Sequence, residues 1–125
     1  LSPLRAFVRG ILCNMLVCLA VWMGGAGKTV CDKLAATVLP VVAFVAMGFE
    51  HSVANMFFLP LGLIAQEAAG IAAPAVGIAA MWQGSLSNLL FVTLGNVVGG
   101  VMVAAAYWFA YGRVREARLR AQSCE

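Results

Sequence analysis

The chain has 125 residues, 63% of them hydrophobic and only 10% charged, with a formal net charge of +3 and a mean hydropathy of +0.96. A soluble domain carries about 45–50% apolar residues, so this composition excludes an ordinary water-soluble fold and points to an all-α integral membrane protein. The modest positive charge calls for no nucleic-acid partner, because most of it sits in one C-terminal tail.

The first apolar stretch, approximately 8–27 and containing GILCNMLVCLAVWMGGAG (10–27), matches one membrane span of about 20 residues. Leu1-Ser2-Pro3 lacks the basic region, short apolar core and small-residue site of a cleavable signal peptide. With no initiator methionine and a span beginning so early, the chain reads as one piece of a longer protein. Cys13, Cys18, Cys31 and Cys124 lack metal-ligand spacing, and Cys13 and Cys18 fall off a common helical face. They read as small buried hydrophobes, and no metal or cofactor is expected.

The second stretch, 34–66, is too long for a single span. As one helix it would extend about 50 Å, against a hydrocarbon core of about 30 Å. Gly48 before a polar cluster, Asn55 after it and Pro60 a turn later predict two shorter pieces broken near 48–55. Residues 67–85 (EAAGIAAPAVGIAAMWQGS) are rich in alanine and glycine and include Pro74, which suggests an external loop. The third span is predicted at 86–111 and a tail at 112–125. Within the third span Gly95, Gly99, Gly100 and Ala104 form a row of small residues that predicts close helix packing. Three spans in a single membrane domain, 1–125, place the 24–33 loop and the tail on one side. That side holds Lys28, Lys33, Arg113, Arg115, Arg118 and Arg120, against Arg5 and Arg9 opposite. The positive-inside rule therefore puts the C-terminus in the cytoplasm.

Glu50 and His51, the chain's one histidine, lie inside the broken stretch. Ionisable groups at membrane depth are expensive, about 2.5–3.5 kcal/mol for Asp, Lys or Arg at the centre, and tend to mark substrate or proton paths. A polar pair at a break can also serve only to bond loose backbone groups. We read Glu50 in that structural way, together with Gly48 and Asn55, and His51 as functional. Haem ligation is disfavoured, because one histidine and scattered methionines offer no axial pair. Ser52 beside His51 is a sequence neighbour and makes no catalytic triad, so no enzyme is expected. A pore or carrier lined by a titratable histidine remains.

The stretch GFEHSVANMFFLP (48–60), with RGILCNMLVCLAVWM (9–23) and TLGNVVGG (93–100), resembles the second half of the formate/nitrite transporter family. The motifs follow the family's order and spacing and cover nearly the whole chain, from Arg5 to Gly112. The MFFLP run resembles the formate-channel branch more than the nitrite or hydrosulfide branches. The resemblance implies one half of an inverted-repeat six-span channel fold similar to aquaporins, with a broken span in each half. It also implies a homopentamer in the cell inner membrane with one pore per subunit. An odd number of spans per repeat forces the inversion.

Carried over by motif, His51 matches the central pore histidine and Asn14 the asparagine that hydrogen-bonds substrate. Phe44, Ala54 and Val17 match residues of the apolar constriction on the external side. The cytoplasmic constriction, a threonine facing the histidine and a vestibule lysine belong before Leu1. The function implied is passage of small monovalent weak-acid anions, formate foremost, with nitrite or hydrosulfide as alternatives. A desolvated anion is heavily penalised in an apolar constriction, and a histidine there can hydrogen-bond it or hand it a proton. A second expectation, of another class, is a truncated half-subunit that only assembles, which the mass of the native subunit would test. A water or glycerol channel is disfavoured because no Asn-Pro-Ala element occurs.

Overall fold

The computed structural model describes residues 1–70, 77–115 and 122. Its described elements are helical: α1 (Pro3–Ala26), α2 (Val30–Ala46), α3 (Ser52–Ala68) and α4 (Gly77–Tyr107), the last continuing as a π-helical turn over Trp108–Gly112. The helix α1 begins at Pro3, earlier than the apolar run suggested, because proline is pre-organised for a first helical position where no N–H is needed. Two helices are long and apolar enough to cross a membrane, Pro3–Ala26 and Ala79–Arg115. At about 1.5 Å per residue, α2 and α3, with 17 residues each, reach about 25 Å apiece, short of a hydrocarbon core of about 30 Å.

The predicted loop at 67–85 is corrected over its second half. Residues 71–76 lie outside the described residues, but α4 starts at Gly77, well before Leu86. Ala79, Ala80, Met81 and Gln83 are strong helix formers. Ser85 donates to the Met81 carbonyl one turn back (2.9 Å), so its hydroxyl stays within the helix and does not break it. Pro60 does not end a helix either. It sits inside α3, where its missing N–H costs one ladder bond without stopping the turn. Of the tail, Arg113–Arg115 are still helical, while 116–121 and 123–125 lie outside the described residues.

Between α1 and α2 the chain turns at Gly27, and Thr29 starts α2 with a reciprocal cap. The Asp32 N–H donates to Thr29 Oγ1 (3.1 Å) and the Thr29 N–H to Asp32 Oδ2 (2.9 Å). Both orphan donors are thereby satisfied.

The helices α1 and α4 meet along two stripes of small residues. Ala6, Gly10, Cys13 and Ala20 are buried on α1, facing buried Val92, Gly95, Asn96 and Gly99 on α4. A Cβ added at Gly10 would lie 2.7 Å from the Val92 carbonyl oxygen, and one at Gly95 or Gly99 would collide with the Phe7 or Ile11 carbonyl. Only glycine permits this backbone approach, as the row of small residues predicted.

Cys13 is fully buried here, Cys18 half-buried and Cys31 exposed. Cys31 thus departs from the expected burial, because it lies in the first turn of α2 beyond the packed stripes. Cys124 lies outside the described residues. Most large apolar side chains face outward, among them Leu39, Phe57, Phe58, Leu61, Ile64 and Trp108. A soluble monomer does not tolerate such surface, whereas lipid or further protein covers it. At the end bearing Lys28 and Lys33, Trp22 meets Tyr107 edge-on at 6.2 Å and Tyr107 meets Tyr111 at 4.8 Å. The Arg113 guanidinium lies 4.9 Å over the Phe109 ring. Amphipathic rings and snorkelling cations of this kind suit a membrane–water boundary.

Candidate functional site

The site forms where α2 gives way to α3. Gly48 adopts φ +64°, a left-handed conformation that costs other residues about 1–2 kcal/mol. Its N–H donates to the Val45 carbonyl (3.0 Å) and that of Phe49 to the Phe44 carbonyl (3.0 Å), the paired bonds of a Schellman ending. Three residues later α3 has begun. The interruption therefore spans Met47–His51, and Asn55 falls in the first turn of α3.

His51 is half-buried and caps α3. Its Nδ1 accepts from the N–H groups of Val53 (3.2 Å) and Ala54 (3.4 Å). The ring of Phe44, in the last turn of α2, stands 6.0 Å from the His51 ring at 34°. Two of the five sequence-derived pore residues, Phe44 and Ala54, thus sit directly against His51. Asn14 on α1 donates through Nδ2 to the Asn96 carbonyl of α4, and among the described residues no hydrogen bond joins it to His51. Val17, one turn further along α1, borders an open apolar groove with Cys18, Trp22, Ala104 and Tyr107, between α1 and α4.

Glu50 takes a different direction from its neighbour. Its carboxylate accepts from Asn55 Nδ2, which also donates to Asn88 Oδ1 (3.0 Å). Glu50, Asn55, Gln66, Ser85 and Asn88 line an open cavity of about 850 Å3 between α3 and α4, to which His51 does not contribute. Among the described residues no three of His, Cys, Asp and Glu converge as metal ligands.

The residue that holds the break together was not singled out by sequence. Asn96, only 7% exposed, accepts through Oδ1 from the Ser52 N–H (3.2 Å) and hydroxyl (3.1 Å). Its Nδ2 donates to the carbonyls of Gly10 (3.0 Å) and Glu50 (3.1 Å). One amide thus ties α1 and α4 to the interruption at Glu50 and to the first residue of α3, with every polar atom used. The signal was present in TLGNVVGG (93–100), where an asparagine interrupts an apolar span. Polar side chains in such helices commonly bond across to other elements. Asn88 and Ser52 carried the same signal more weakly.

Comparison with known proteins gives this geometry a context. A family model described as formate/nitrite transporter matches residues 1–109. The formate channel FocA of Escherichia coli (strain K12) is 41% identical over 119 residues, covering 88% of this chain and 42% of FocA. A probable formate transporter of Methanothermobacter thermautotrophicus is 44% identical over 108 residues, covering 86% of this chain and 35% of that protein. A solved structure of a pentameric formate channel with formate bound superposes with a TM-score of 0.69 at 38% identity, over 89% of this chain and 47% of that one. The chain spans less than half the length of these relatives.

Proposed function

The chain belongs to the formate/nitrite transporter family, and from that premise we propose that the complete protein conducts small monovalent weak-acid anions, formate foremost, across the cell inner membrane. The described helices then supply one half of a six-span subunit: α1, the interrupted α2–α3 pair as a second span, and α4 as a third. An inverted partner half completes the pore, an architecture similar to that of aquaporins, and five subunits assemble with the C-terminus cytoplasmic. Nitrite and hydrosulfide satisfy the same weak-acid chemistry and are the alternative cargoes.

The observation that carries this reading is His51, the chain's only histidine, held at the meeting point of two apolar half-helices against Phe44. An anion squeezed past apolar side chains loses hydration that nothing apolar replaces. Phe44, Ala54 and Val17 narrow the path, and the imidazole at its centre offers the anion a polar hydrogen. Asn14 adds an uncharged polar contact: its Nδ2 is engaged by the Asn96 carbonyl, and among the described residues its Oδ1 has no donor, which leaves it to a protonated acid. Glu50 stands apart as a structural partner of Asn55.

The test is formate flux into proteoliposomes containing the complete protein, measured at several pH values. His51→Ala and His51→Asn are expected to lower flux and to flatten its pH dependence. Flux and pH dependence unchanged in both variants would refute the role given to His51.

A further inference from the structure

The two nitrogens of His51 are not equivalent. Nδ1 accepts from the N–H groups of Val53 and Ala54, at 3.2 and 3.4 Å. These occupy the second and third positions of α3, where a helix has unsatisfied donors and an N-cap side chain meets them. An accepting nitrogen carries no proton, so the neutral ring bears its hydrogen on Nε2. Among the described residues Nε2 has no hydrogen-bond partner.

Resting on the transport reading above, we infer that His51 meets the anion as a hydrogen-bond donor through Nε2–H, because capping α3 commits Nδ1, and that a second proton on the ring requires the cap to open. The chemistry of the transfer gives the reason. For a ring that has first taken a second proton from water at Nδ1 to give its Nε2 proton to a carboxylate oxygen, the N–H bond breaks, an O–H bond forms, and a neutral ring remains. That ring keeps a proton on Nδ1. An Nδ1–H would then point at the Val53 and Ala54 N–H groups, donor against donor. The cationic ring would also stand at the positive end of the α3 dipole. Among the groups brought to this break, Asn14, Asn88 and Asn96 are neutral amides, Phe44 is apolar, and Cys13 is buried. The charged neighbour is Glu50, whose carboxylate is engaged by Asn55. Proton loading and an intact α3 N-terminus therefore exclude one another, and each proton passed to an anion entails a loosening of the first turn of α3.

The experiment uses the complete protein in lipid bilayers. Histidine side-chain 15N NMR, with the His51 signal assigned by its loss in His51→Asn, should show the neutral ring with unprotonated Nδ1 and protonated Nε2. Amide hydrogen exchange at Val53 and Ala54 should accelerate about 2- to 30-fold in His51→Ala, the range for a lost N-cap. His51→Asn should stay within about 2-fold of wild type, because asparagine is among the best N-caps. An Nδ1–H neutral ring, a doubly protonated ring with both amides as protected as before, or unchanged exchange in His51→Ala would each overturn the inference. Formate flux indifferent to both substitutions would defeat the transport reading instead, while leaving the cap measurement standing.

Discussion

Replacing Asn96 with alanine removes four side-chain hydrogen bonds from the centre of the molecule. Their loss is not evenly costly. The Gly10 carbonyl lies within α1 and keeps its helical partner, and the Ser52 hydroxyl can turn to another acceptor. The Ser52 N–H and the Glu50 carbonyl lie at the interruption, where no ladder bond replaces the amide. A buried backbone group left unpaired costs about 1–3 kcal/mol, whereas polar contacts between membrane helices average nearer 0.6 kcal/mol. Two such groups give an expected destabilisation of about 1–6 kcal/mol, from two contacts at the membrane average to two fully unpaired groups. Denaturant titration of the complete protein in detergent reads this directly, with Asn88→Ala as a control that loses one bond to Asn55 and should cost about 0.6 kcal/mol. Asn96→Asp should be at least as damaging as alanine. It keeps an acceptor for Ser52 but turns a second oxygen on the Gly10 and Glu50 carbonyls. An alanine variant within about 0.5 kcal/mol of wild type, the usual scatter of surface substitutions, would refute the assignment of Asn96 as the tie across the break.

Further expectations concern separate parts of the molecule. Gly99→Ala places a Cβ against the Ile11 carbonyl and should destabilise α1–α4 packing by about 1–3 kcal/mol, the cost of overpacking, seen as a lower unfolding temperature. Glu50→Gln keeps an acceptor for Asn55 Nδ2, so formate flux and its pH dependence should stay near wild type in liposomes. A large loss would make Glu50 a participant in transport. At the α1–α2 turn, the Thr29 backbone N–H, aided by the Thr29 hydroxyl, holds the Asp32 carboxyl below the usual carboxylate range. Stability from this cap is present above the unfolded value of about 3.9 and is lost as pH falls through the lower folded value. Thr29→Ala should move the Asp32 titration toward about 3.9, checked by carboxyl NMR.

What the sequence determined by itself is the local and the solvational. Composition alone sets this chain apart from a water-soluble domain, since so few charges cannot cover a water-exposed surface. The length of the 34–66 stretch, with Gly48 inside it, locates an interruption that the helices end and begin around. The small residues at 95, 99, 100 and 104 announce a close helix contact. Each of these follows from neighbours in the chain. The start of α4 at Gly77 escaped because an alanine- and glycine-rich run suits loop and helix alike until its surroundings choose.

The tertiary structure alone decided which polar groups meet. Asn96 lies 86 residues from Gly10 and 44 from Ser52, and no pattern along the chain joins them. Only α1 and α4 in contact, at a distance set by their glycines, put one amide within reach of Glu50 in the break and of Ser52 at the start of α3. The same holds for Glu50 and His51, which are adjacent in sequence yet face different surroundings. The sharp turn from the Gly48 ending into the α3 cap sends one side chain toward Asn55 and Asn88 and turns the other's Nδ1 back to the helix. Adjacency in sequence could not distinguish their partners, because direction at a helix break is set by the backbone angles that packing selects.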